Sequence, residues 1–230
     1  MIYEFILSNK EILKIVYTLI ICFICAIIVL KTDRLFKLSN HQGIRYFRNA
    51  FFFYGSAFFV RFILGGLSDP IPHYEELYFT SIKLIFEFSI IMAGFFLFYS
   101  LIWKQVEKKT KHNSLLNFNI GVLYLVSIII TLLDFSLNTD LFMYTSQIIL
   151  FAIMSVISYK NYIKGEKQHK FLKFYFIVMI IGLITWVLNT ALFYYFDWNK
   201  VVQMQAYGLN IIFFLVFLYG IIKITKTKNG

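Results

Sequence analysis

The chain has 230 residues, 60% hydrophobic and 20% aromatic, and its 22 basic against 12 acidic side chains leave a net charge of +10. A mean hydropathy of +0.72 excludes an ordinary soluble domain. No motif supports nucleic-acid binding, so the charge has to be sorted by side of a membrane instead. Seven apolar stretches, each close to the roughly 20 residues that an about 30 Å hydrocarbon core requires, account for nearly the whole chain. The expected fold is an all-α integral membrane protein: one domain, residues 1–230, forming a seven-transmembrane-helix bundle in a cell membrane.

In chain order the spans are expected at residues 12–30, 46–67, 79–103, 117–135, 139–158, 171–195 and 201–224. Lys10 and Lys14 precede the first, as in a signal peptide. No small-residue cleavage site follows, however, and the stronger positive cluster lies after it, so it reads as an uncleaved span. Cys22 and Cys25 fall in the middle of that span, where a buried thiol is packing rather than a metal or redox centre. Ser68 to Glu76, with both prolines of the chain, is the most turn-rich stretch, and its acids and His73 read as a solvated loop.

Orientation follows from the basic residues. Seventeen of the 22 lysines and arginines sit after spans 1, 3, 5 and 7, beside only Asp33, Glu107 and Glu166. The positive-inside rule then puts the N-terminus outside and the C-terminus in the cytoplasm. A shift of 128 residues lays spans 1, 2 and 3 on spans 5, 6 and 7, placing His41 on His169 and Arg61 on Asn189. This is the pattern of a 3+1+3 pseudo-repeat, although evenly spaced spans register under some shift in any case.

Charged side chains at membrane depth mark the candidate site, because they are costly there. With a rise of 1.5 Å per residue, Arg61 lies about 22 Å from the inner start of span 2 and Glu87 about 12 Å from the outer start of span 3. Both are in the outer half. Lys83 shares a helix face with Glu87, and Arg61 shares one with Ala57 and Tyr54, beside the small residues Gly55 and Ser56. Gln147, Asn189, Gln203, Gln205, Tyr207 and Asn210 bring further polar groups to that level. The candidate ligand-binding set is thus Arg61, Lys83, Glu87, Gln147, Asn189, Gln203, Tyr207 and Asn210. Lys83 can also snorkel to the headgroups, as can Arg61, while Glu87 is either protonated or paired with Lys83 or Arg61, the latter pair forming a purely structural clamp.

A second candidate is the start of span 2. Arg45, Arg48 and Asn49 stand at helical spacing where they can grip a phosphate or lipid headgroup, or simply anchor the helix at the interface, and Gly43 is placed to turn the chain. Signatures of several classes are missing. Span 7 has no central lysine for a retinal Schiff base, the spans hold no proline, and neither HExxH nor GxSxG occurs. No catalytic residue, metal site or cofactor is expected, and enzyme is the least supported class. The residues favour sensor or receptor-like binding of a small ligand. The alternatives are a small-solute or ion transporter or channel, and a scaffold subunit of a membrane complex. Expected partners are the lipid bilayer, anionic lipid at the cytoplasmic face, and a cytoplasmic or membrane protein. A transporter needs a polar path through the inner half, where the spans are mostly Phe, Ile and Leu.

Overall fold

The computed structural model describes residues 10–65, 75–107, 118–164, 170–195 and 200–227, and among them every regular element is helical. Seven helices follow in order: α1 (Lys10–Ser39), α2 (Gln42–Phe58), α3 (Glu75–Glu107), α4 (Phe118–Leu137), α5 (Leu141–Lys164), α6 (Lys170–Tyr195) and α7 (Lys200–Thr227). A π-helical turn, Phe59–Leu64, carries α2 onward. The helices match the apolar stretches and overrun several of them, α1 most of all. Six are long and apolar enough to cross a membrane; α2 is 17 residues long before its π turn. The Ser68–Glu76 loop lies largely outside the described residues.

Burial runs opposite to that of a soluble protein. The faces turned outward are apolar, with Leu19, Phe23 and Leu30 on α1 and Leu125, Ile128, Ile129 and Leu132 on α4 all exposed. Buried polar groups include Glu87, Ser127, Asp134, Gln147, Thr185 and Asn189. Apolar patches of that extent are stable against lipid rather than water. The molecule is a multi-pass membrane bundle.

The helices pack in a ring, α1 on α2, α2 on α3, α3 on α5, α5 on α6, α6 on α7 and α7 back on α1, while α4 lies outside against α3 and α5. Close approach depends on small residues at two contacts. A Cβ on Gly55 of α2 would stand 3.2 Å from the Cys25 side chain of α1, and one on Gly94 of α3 would stand 2.5 Å from the Gln147 amide of α5. Both cysteines are free thiols. Two tight turns are made by asparagines in the left-handed region: Asn40 between α1 and α2, and Asn138 between α4 and α5, each with φ 49°. They mark opposite ends of the bundle, here the Asn40 end and the Asn138 end. Asn40 makes the turn that Gly43 was expected to make. Gly43 instead lies inside α2, where a Cβ would meet Trp103 Nε1 at 2.5 Å.

Candidate functional site

A cavity of about 230 Å³ lies on the ring axis toward the Asn138 end, lined by all six ring helices. Arg61 enters it from the π turn, Asn189 from α6, and Tyr207 and Asn210 from α7, so four of the predicted residues share one chamber. Tyr54, noted in the sequence only as sharing a helix face with Arg61, also lines it, and sequence reasoning missed Tyr17, Tyr144, Thr185 and Trp186. Asn189 Nδ2 donates to Asn210 Oδ1 at 3.0 Å, and Asn210 is hydrogen-bonded to the Tyr17 hydroxyl. The Tyr17 ring stacks on Tyr207 with centroids 4.2 Å apart. Asn189 Oδ1 is buried and accepts no hydrogen bond.

The expected stripe of Tyr54, Ala57 and Arg61 is broken by the π turn. Tyr54 and Ala57 are buried in the ring, while the wider turn rotates Arg61 onto its exposed rim. The guanidinium lies over the Phe86 ring, 4.3 Å from its centroid, and makes no ion pair among the described residues. The Arg61–Glu87 clamp is therefore not formed.

Glu87 pairs elsewhere. It lies in a second cavity of about 300 Å³ beside the first, with Arg61, Lys83, Phe86 and Asp140. Lys83 Nζ is 2.7 Å from Asp140 Oδ1 and 3.6 Å from Glu87 Oε1, with the Lys83 side chain 40% exposed and that of Glu87 2%. Lys83 does not snorkel freely; it ties α3 to the start of α5. Neither Glu87 oxygen accepts a hydrogen bond. Asp134, also missed, is buried at the end of α4. It accepts the backbone N–H groups of Phe142 (2.9 Å) and Met143 (2.7 Å), capping α5. Sequence reasoning singled out neither Asp134 nor Asp140.

Two predicted residues stand apart from these chambers. Gln147 is fully buried between α5 and α3, where Nε2 donates to the Ile90 carbonyl at 3.2 Å, and it lines neither cavity. Gln203 lies in the first turns of α7, and its side chain falls outside the described ones. At the start of α2, Arg48 forms an ion pair with Asp33, which also holds Lys37 at 2.9 Å, and Arg48 Nη2 donates to Asn49 Oδ1 at 3.4 Å. Arg48 and Asn49 are thus engaged in joining α2 to α1, and Arg45 is partly exposed beside them.

A third cavity, about 420 Å³, lies toward the Asn40 end and is again lined by all six ring helices. Its wall is mostly apolar, with Thr32, Ser39, His41, Ser100, Ser158, Asn161 and Tyr175 as polar exceptions. A septum of aromatic rings separates it from the Arg61 chamber. Phe51 lies 6.2 Å from Phe214 and 5.0 Å from Phe217, and Phe213 lies 5.0 Å from Phe217 and 5.8 Å from Phe151. Phe214 borders the first chamber and Phe217 the other. They stand three positions apart, so the septum is about 5 Å thick along α7. No cluster of metal-ligating residues occurs among the described residues.

Fold and cavities together define an all-helical multi-pass membrane protein with its polar groups turned inward. No protein-family model and no solved structure matches the chain. It is similar to an uncharacterized protein of Archaeoglobus fulgidus, 24% identical over 214 residues and covering 90% of each chain.

Proposed function

We propose that the protein is a small-solute transporter of the cell membrane. The observation that carries this is the pair of axial chambers, one toward each end, separated by a thin septum of rings. A sensor needs only the Arg61 chamber. The sequence argument against transport was an inner half without a path; taking the Asn40 end as the inner one, the larger chamber supports a path there. In this reading α2 with its π turn is a seventh span, since 17 and 6 residues together rise about 35 Å. The Asn138 end faces outward, supported by the seventeen basic residues on the other side. The ring order supports a 3+1+3 repeat, because laying α1, α2 and α3 on α5, α6 and α7 returns the same neighbours with α4 left over. Anionic lipid at the cytoplasmic face would meet Arg45, since Arg48 is occupied by Asp33.

Cysteine accessibility tests the proposal without knowledge of the solute. Ala206→Cys in the Arg61 chamber and Ser158→Cys in the other are each placed in a Cys22→Ala, Cys25→Ala background and reconstituted in vesicles. A membrane-impermeant maleimide is then applied from either side. Alternating access predicts that each cysteine is labelled from both sides. Labelling of Ala206→Cys from outside only, and of Ser158→Cys from inside only, would leave a sensor.

A further inference from the structure

The Arg61 chamber holds unmet demands that together describe a ligand. Its one cationic group, the Arg61 guanidinium, has no carboxylate partner among the described residues and rests on the Phe86 ring. A guanidinium so placed takes a carboxylate in two parallel hydrogen bonds, and it does so at a membrane depth where an unpaired charge is costly. The second demand is Asn189 Oδ1, buried without a donor in a residue that lines the chamber and is 8% exposed. The chain from Asn189 through Asn210 to Tyr17 engages one of the two Asn189 amide N–H donors and leaves its carbonyl without any donor, a place for an ammonium N–H. The same wall carries Tyr144 and Trp186, aromatic side chains of the kind whose faces favour a cation, while Tyr17 is stacked on Tyr207. The remaining wall, including Ile90, Met143 and Phe213, is apolar. At about 230 Å³ the chamber is smaller than sites for drug-sized ligands, which are roughly 300–1,000 Å³.

We infer that the Arg61 chamber binds a small apolar amino acid: the carboxylate on Arg61, the ammonium between Asn189 Oδ1 and the aromatic faces, the side chain on the apolar wall. A simple anion leaves Asn189 unmet, and a simple amine leaves Arg61 unmet. The zwitterion satisfies both and enters with no net charge. This names a substrate for the transport reading and rests on it for the word substrate, but binding itself is tested separately.

The experiment is thermal unfolding of the purified full chain, followed by intrinsic fluorescence, with L-leucine, L-phenylalanine, 3-methylbutan-1-amine and 4-methylpentanoate as probes. Either amino acid should raise the midpoint by about 2–4 °C once it exceeds its Kd some five-fold. The amine and the carboxylate should produce no shift at the same concentrations, and Arg61→Gln and Asn189→Leu should each abolish the amino-acid shift. Arg61 is exposed, so its variant keeps the fold and makes a fair control should Asn189→Leu unfold. No shift with either amino acid, an equal shift with 4-methylpentanoate or the amine, or a shift that survives in Arg61→Gln would overturn the inference. Binding with one-sided cysteine labelling would instead remove transport and leave the amino-acid site.

Discussion

Lys83 is the residue on which the charge balance between α3 and α5 turns. Its ammonium stands between two carboxylates, closer to Asp140 than to Glu87, and neither acid has another cationic partner among the described residues. Lys83→Met would leave two acids facing each other at membrane depth, with an expected loss of about 1–3 kcal/mol, discounted for the partial exposure of Lys83. Glu87→Gln removes the acid that accepts no hydrogen bond and should cost under about 1 kcal/mol. Unfolding midpoints in one detergent check both, and a harmless Lys83→Met would sink this account. The sequence put Lys83 in the ligand set beside Glu87, with snorkelling as the alternative, because its depth was legible and its Asp140 partner was not. Asp140 is 57 positions away, and only the packing of α5 on α3 brings it near. Asp134 was hidden for the same reason: a cap is recognised by the backbone it meets, which lies beyond the turn at Asn138.

Among the elements, α3 and α5 are joined by a polar bond at a place where one residue has no side chain. Gly94 leaves the room into which Gln147 reaches for the Ile90 carbonyl. Gly94→Val should displace that amide and leave a buried donor unmet, costing about 1–3 kcal/mol. Adding Gln147→Ala should then cost less than the two single changes summed, because the space is shared. Strict additivity in that cycle would mean that the two positions do not touch. Gln147 was read as a ligand group because a buried glutamine and a binding glutamine look alike until the neighbouring helix is known. Helix positions themselves were legible, since hydrocarbon thickness dictates the length of each apolar run. The π turn was not, for it changes the direction of Arg61 without changing any residue around it.

On the scale of the whole molecule, the septum divides the axis. Its rings come from α2, α5 and α7, drawn from a chain with 28 phenylalanines, so nothing in the composition distinguishes them from lipid-facing ones. The chamber beyond it was equally illegible, because a hollow lined by Leu, Phe and a few hydroxyls reads as core. Paired replacement by Phe51→Ala and Phe214→Ala should let a maleimide applied at the Asn138 end reach Ser158→Cys several-fold faster than in the unchanged septum, and equal rates would show that the barrier lies elsewhere. A layer of rings at mid-depth also acts as electrical insulation. A bare ion reaching it would have to shed its hydration against carbon and would gain no oxygen ligand in return. A cell can therefore keep many copies of this protein in a charged membrane without short-circuiting the voltage across it.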